Sequence, residues 1–142
     1  MQPFDKTSLA LNVVEETERI VNSLCRNVHQ VLRRQGVVIG VSGGIDSSTV
    51  LALCAKAFGP DRVVAIFLPE KESSPDSVML GQMVADQYKV QTVIEDITTA
   101  LEGGHCYQRR DQAIARMFPQ YQEGWKAKIV LPGNLLEKET LN

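Results

Sequence analysis

The sequence predicts an α/β protein, a doubly wound parallel sheet with a long N-terminal helix. Apolar, β-branched runs recur at 37–41, 62–68 and 90–94. Helix-length segments separate them, and strands and helices alternating at this spacing mean right-handed crossovers between parallel strands. Between the first run and its helix lies a Ser42-Gly43-Gly44 turn. In open sheets of this kind, ligands bind beyond the C-terminal ends of the strands.

The first segment reads as one long helix. Thr7 or Ser8 can cap it, and Gly36 stops it after about residue 35. Val13, Val14, Ile20, Val21, Leu24, Val28, Val31 and Leu32 recur at three- and four-residue steps and form an apolar stripe. That stripe either covers the chain's own sheet or packs in part on a second subunit. His29 lies among polar residues and reads as solvated.

The strand over 37–41 is continuously apolar, as expected of a strand covered on both faces. A helix follows from Asp46 or Ser47 to Phe58, burying Val50, Leu51, Leu53, Cys54 and Ala57, and Gly59-Pro60 ends it. The second strand covers 62–68. After an irregular loop over 69–75, a helix starts at Ser74 or Asp76 and runs to about Tyr88, with Val78, Met79, Met83 and Val84 on its buried side. The third strand covers 90–94. Beyond Asp96 the pattern weakens: a helical turn over 98–101, a break at Gly103-Gly104, and a helix over 109–117 ended by Phe118-Pro119. A short strand over 128–131 and a Pro132-Gly133 turn follow. His105 and Cys106 adjoin, but one such pair reads as loop rather than metal site.

Composition narrows the function. A length of 142 residues suits one domain with a real core, and 44% hydrophobic with 23% charged residues is ordinary for a folded globular chain. A net charge of −2 gives no support for a nucleic-acid surface. The three cysteines, Cys25, Cys54 and Cys106, are odd in number and far apart, which argues against both a disulfide framework and a zinc site. No basic start with an apolar run behind it opens the chain, and no apolar run reaches membrane-spanning length. A reducing cytoplasm is the expected setting.

The turn after the first strand is where chemistry is expected. A strand, a glycine-rich turn and a helix start place backbone N–H groups and the positive end of a helix dipole together, a site that attracts an anion such as phosphate. No Gly-Lys pair occurs in the chain, so it has no Walker A loop. Glycines at 40, 43 and 44 do not fit the dinucleotide fingerprint either.

Ser-Gly-Gly-x-Asp-Ser at a strand end resembles the pyrophosphate-binding loop of the N-type ATP pyrophosphatases. Those enzymes cleave ATP between the α- and β-phosphates, adenylating an oxygen that a nitrogen or sulfur nucleophile then displaces. With no lysine in the loop, backbone N–H groups, the Ser42 and Ser47 hydroxyls and a metal would hold the pyrophosphate. Gly43 and Gly44 allow positive φ and close backbone approach. Asp46 either ligates Mg²⁺ through one carboxylate oxygen or caps the helix. Ser48 is either a ligand or a helix-start residue. The reaction needs no protein nucleophile, because the substrate carboxylate attacks the α-phosphorus.

Within that superfamily, the loop Gly40-Val41-Ser42-Gly43-Gly44-Ile45-Asp46-Ser47-Ser48, with Phe67-Leu68-Pro69 and Ser73-Ser74-Pro75-x-Ser77 after the second strand, resembles ammonia-dependent NAD synthetases. The resemblance covers roughly residues 10–96. It implies a Rossmann-like fold of the adenine nucleotide alpha hydrolase type, ATP and Mg²⁺ as cofactors, deamido-NAD and ammonia as substrates, and a homodimer to which the N-terminal helix contributes. It also implies ATP contacts from Gly40 through Ser48, Mg²⁺ on Asp46, and the Leu68 backbone beside the adenine. Beyond Asp96 the chain departs from that pattern. Ala115-Arg116-Met117 and Gly133-Asn134-Leu135-Leu136-Glu137 mimic family motifs, but the first arginine is missing and Pro119 breaks the helix. Residues 97–142 are therefore read either as an insertion, the favoured alternative, or as a degenerate form of those substrate motifs, and one ATP-pyrophosphatase domain is expected to continue past residue 142. Two alternatives stay open: another N-type ATP pyrophosphatase that amidates or thiolates a different substrate, and a non-catalytic ATP-binding protein.

Overall fold

A computed structural model describes residues 10–122, 124 and 125. The chain divides into two compact units, Met1–Thr99 and Ala100–Asn142.

The first unit is built on three parallel strands, β1 (Val37–Gly40), β2 (Val63–Phe67) and β3 (Gln91–Ile94), in the order β1-β2-β3. Val37 pairs with Val63 and Ile39 with Ala65; Ala65 in turn pairs with Thr92 and Phe67 with Ile94. Helix α2 (Ile45–Phe58) connects the first two strands and α3 (Pro75–Tyr88) the second pair. Both right-handed crossovers advance in the same direction, so both helices lie on the same sheet face. Ile39, Val63, Ala65 and Phe67 are buried there. On the opposite face Val38 is 70% and Val93 41% exposed. Among the described residues β1 is thus covered on one face, not two. They carry a single winding, since the strand order never reverses.

The N-terminal helix is shorter and less regular than its stripe suggests. Helix α1 (Val13–Cys25) starts at Asn12, whose Oδ1 accepts from the Glu15 N–H at 3.3 Å. Thr7 and Ser8 lie outside the described residues. After Cys25 the helix widens into a π-helical turn, Arg26–Val31. Leu32 N–H donates to Asn27 and Arg34 N–H to Val28, both at 2.8 Å. His29 is half-buried rather than solvated: Nδ1 donates to the Arg34 carbonyl at 2.9 Å, and its ring stands edge-on to Phe58 at 5.4 Å. Gly36 is not the helix stop. It is glycine because a Cβ would run into the Arg62 carbonyl on the neighbouring strand lead-in. Helix α1 packs against α2. Of the apolar stripe Val28 is buried and Leu24 packs against the core, while Val13 and Val14 stand exposed.

Helix α2 buries Leu51, Cys54, Ala55 and Phe58, positions spaced to share one face. Val50 sits off that stripe and is exposed. Helix α3 begins at the Ser74 cap with Pro75 in its first turn. Its buried residues are Gly81 and Ala85, with Val78 and Val84 beside them; Met79 and Met83 are exposed. Small side chains let α3 approach the sheet closely, and that approach leaves the methionines on its flanks.

Helix α4 (Thr98–Gly103) is longer than the expected turn, and Asp96 Oδ1 accepts from Thr98 N–H at 2.8 Å ahead of it. In the second unit, His105 takes positive φ and α5 (Cys106–Met117) starts three residues earlier than its pattern suggests. The Tyr121 hydroxyl donates to Asp111 at 3.0 Å. The strand expected over 128–131, the Pro132-Gly133 turn and the segment 133–137 lie outside the described residues. Among the described residues no helix is long and apolar enough to cross a membrane.

Candidate nucleotide-binding site

The first strand ends at Gly40, yet the Val41 N–H still donates to the Ile66 carbonyl at 2.9 Å. Val41 is therefore held in the ladder and its side chain is buried. The chain leaves the sheet at Ser42. Gly43 then adopts φ +79°, in the left-handed region that side chains resist. A Cβ on it would also run into the Ser77 carbonyl in the first turn of α3. Gly43 is thus glycine on two counts. Gly44 is not: its φ of −80° and ψ of 164° suit any residue, and a Cβ there would lie 3.5 Å from Ser42 Oγ.

Gly44 is the N-cap of α2, so the helix starts at Ile45 and Asp46 lies in its first turn instead of capping it. A glycine cap offers no side-chain acceptor. Among the described residues the N–H groups of Ile45, Asp46 and Ser47 therefore have neither an intrahelical partner nor a side-chain cap. They open at the C-terminal edge of the sheet, where an incoming anion would satisfy them. The Ile45 side chain itself is exposed.

Two serine hydroxyls hold the loop in shape. Ser42 Oγ and Ser47 Oγ lie 3.1 Å apart, Ser47 Oγ accepts from the Ser42 N–H at 3.2 Å, and the Ser47 hydroxyl reaches the Gly44 carbonyl at 3.2 Å. Gly44 N–H closes the ring onto Ser42 Oγ at 3.4 Å. Ser48 is a helical residue whose N–H donates to the Gly44 carbonyl at 3.1 Å. Asp46 is exposed, and its carboxylate has no protein partner among the described residues. Among those residues no three His, Cys, Asp or Glu side chains gather into a metal cage. One unpaired carboxylate in the first turn of α2 suits Mg²⁺, which keeps several waters and takes its other ligands from phosphate.

Beside the loop lies a cavity of about 130 Å³. Val41, Phe67, Leu68 and Val78 give it apolar walls, and Ser42, Ser73 and Ser77 supply hydroxyls. Leu68 thus lines the same cavity as Ser42 of the loop. Its neighbours Phe67 and Pro69 have their carbonyls taken by Glu95 N–H at 2.9 Å and Ile97 N–H at 3.0 Å. The Leu68 backbone has no such partner among the described residues. The sequence marks Ser73 and Ser77 only as parts of the Ser73-Ser74-Pro75-x-Ser77 segment and gives neither a role; the structure places Ser73 on the loop after β2 and Ser77 in the first turn of α3. Ser74, from the same segment, is spent on capping α3, where its Oγ accepts from Asp76 N–H at 3.4 Å. A wider depression of about 380 Å³ runs along α1 between Arg19 and Arg26. It is a poorer candidate, because Arg19 is paired with Glu16 on one exposed helix face, a pairing that holds the Glu16 carboxyl below the usual range.

Residues 16–132 match the family model for NAD synthase. An ammonia-dependent NAD synthetase from Mesorhizobium japonicum is 47% identical over 134 residues, which is 94% of this chain and 42% of that relative. The chain thus spans about two fifths of its relative's length. Among solved structures, an NMN synthetase from Francisella tularensis superposes with a TM-score of 0.63 at 23% identity, covering 76% of this chain and 47% of that one. An ammonia-dependent NAD synthetase from Campylobacter jejuni gives a TM-score of 0.56, also at 23% identity, covering 80% and 44%. At that identity the two structures speak for the fold alone.

Proposed function

Because the chain belongs to the NAD synthase family, we propose that the polypeptide carrying it is an ATP-dependent ligase that amidates deamido-NAD with ammonia. The nicotinate carboxylate attacks the α-phosphorus of ATP, pyrophosphate departs, and ammonia displaces AMP to leave the amide. The observation that carries this reading is the loop itself. A left-handed Gly43 and a side-chain-free cap at Gly44 expose three first-turn N–H groups beside two serine hydroxyls, with no lysine among them.

Each residue then has a task. The N–H groups of Ile45, Asp46 and Ser47, with the hydroxyls of Ser42 and Ser47, hold the departing pyrophosphate where its charge develops. Gly40 and Val41 fix the strand end from which the loop springs, and Gly43 sets the path of the loop against α3. Asp46 holds Mg²⁺, with Ser48 one helical position beyond Ser47. When bound, the ion neutralises charge on the leaving phosphates. The Leu68 backbone N–H and carbonyl face the adenine, a role supported by their lack of a protein partner among the described residues.

The same reading extends to the assembly and the chain beyond Thr99. Exposed Leu11, Val13 and Val14 on and before α1 support a homodimer formed partly through that helix. The division after Thr99 sets the following residues apart, while the family match running to residue 132 ties them to the relatives, so an insertion over 97–142 would be one that those relatives share. Three free thiols suit a reducing cytoplasm.

The test is to incubate the complete polypeptide with α- or γ-labelled ATP, ammonia and Mg²⁺, with and without deamido-NAD. AMP and pyrophosphate should form, and deamido-NAD should stimulate them. Primary release of ADP and phosphate would reject the pyrophosphatase chemistry. AMP formation that ignores deamido-NAD would keep that chemistry and reject this substrate.

A further inference from the structure

We propose that Ser73 is a specificity-determining residue for the purine base, an inference that rests on the ATP reading above. Ser73 lies on the loop between β2 and α3 and lines the cavity beside Leu68. Two reciprocal bonds close this loop on itself: Ser73 N–H donates to the Glu70 carbonyl at 2.9 Å, and Ser73 Oγ accepts from Glu70 N–H at 3.0 Å. The Pro69 carbonyl is tied to Ile97 N–H at 3.0 Å. These bonds hold the wall in one shape.

The wall's remaining capacity is set by the chemistry of a hydroxyl, which carries one proton and two lone pairs. Ser73 spends a lone pair on Glu70, and the proton has no protein acceptor among the described residues. Walls of Val41, Phe67, Leu68 and Val78 suit a flat aromatic ring rather than a phosphate. The Ser77 carbonyl abuts Gly43 of the phosphate loop, while Ser73 shares its loop with Leu68. Ser73 is therefore the donor at the base end. Its hydroxyl gives its proton to a ring nitrogen of the purine, and the Glu70 bond fixes the oxygen in place to do so.

The experiment uses the complete polypeptide and compares ATP with its 1-deaza, 3-deaza and 7-deaza analogues, each lacking one ring nitrogen. The native protein should bind one analogue about five-fold more weakly than ATP, the loss of one neutral hydrogen bond. Ser73→Ala should raise the KM for ATP by a similar factor, leave kcat unchanged, and no longer distinguish that analogue from ATP. Ser73→Thr, which keeps the hydroxyl, should restore the distinction. A Ser73→Ala protein that binds ATP as tightly as the native one overturns the proposal. So does one that loses the same factor on all four nucleotides, which would leave Ser73 only a loop-closing role. Native protein that binds no ATP would overturn the functional reading and this inference together, whereas a silent variant of an active protein overturns this inference alone.

Discussion

Gly81 of α3 lies directly against the ring of Phe67 of β2: a Cβ built on it would run into Phe67 Cε1 and come within 3.1 Å of Val41 Cγ1. Phe67 is 1% exposed and has nowhere to retreat. Both partners, Phe67 and Val41, also wall the cavity beside the Ser42-Gly43-Gly44 loop. Alanine at position 81 should therefore destabilise the fold by about 1–3 kcal/mol through overpacking. That exceeds the roughly 0.5–1 kcal/mol that Ala normally adds within a helix. Urea unfolding of Gly81→Ala should show a lower midpoint; an unchanged or higher one would mean that α3 moves off the sheet at no cost.

Gly43→Ala tests the loop rather than the core. The left-handed backbone costs an L-residue about 1–2 kcal/mol, and the new methyl would meet the Ser77 carbonyl as well. The loop should yield before the sheet does. ATP affinity should drop by about ten-fold or more, 1.4 kcal/mol being a factor of ten, with the circular dichroism spectrum retained. Calorimetric titration giving native affinity would show that the observed loop path is not required.

Asp46→Asn removes the charge and keeps the shape. Because Asp46 is exposed and unpaired among the described residues, stability should change by no more than about 0.5 kcal/mol. The Mg²⁺ concentration needed for half-maximal AMP formation should rise at least about ten-fold, the smaller end of losses at metal sites. An unchanged magnesium curve would remove Asp46 as a ligand.

Asp96 makes stability depend on acid. Hydrogen bonds from the Thr98 side chain and N–H hold its carboxyl below the usual carboxylate range. Its native value is the lower one, so its contribution is complete above the unfolded value of about 4 and is lost as pH falls through the native value. An NMR titration should show the Thr98 amide moving with the Asp96 carboxyl, and Asp96→Asn should abolish that coupled step.

The thiols should separate by reactivity. Cys54 is buried, and desolvation pushes its thiol up, so it stays protonated and inert. Its contribution is complete below the unfolded value of about 8.5 and fades as pH rises through the higher native one. Cys106 is exposed. A disulfide reagent at neutral pH should label Cys106 promptly and Cys54 only on unfolding. Prompt labelling of Cys54, read by peptide mass, would contradict the packing of α2.

What the sequence determined by itself was everything written in neighbouring residues. Three β-branched runs with helices between them dictated parallel strands, and Ser42-Gly43-Gly44 after the first run marked the turn from which α2 starts, because turn chemistry and strand propensity are local. Tertiary structure alone decided what depends on two distant backbones meeting. Of two adjacent glycines it is Gly43 that must be glycine, because Ser77 arrives from another helix; Gly36 answers to Arg62, and Gly81 to Phe67. Those approaches also turned Met79 and Met83 outward and put Phe58, not Val50, in the core. They brought Ser73 to Leu68 across a loop whose sequence carries no periodic signal. Periodicity marks which face of an element is apolar, but only the distance between packed elements settles which side chains fit there.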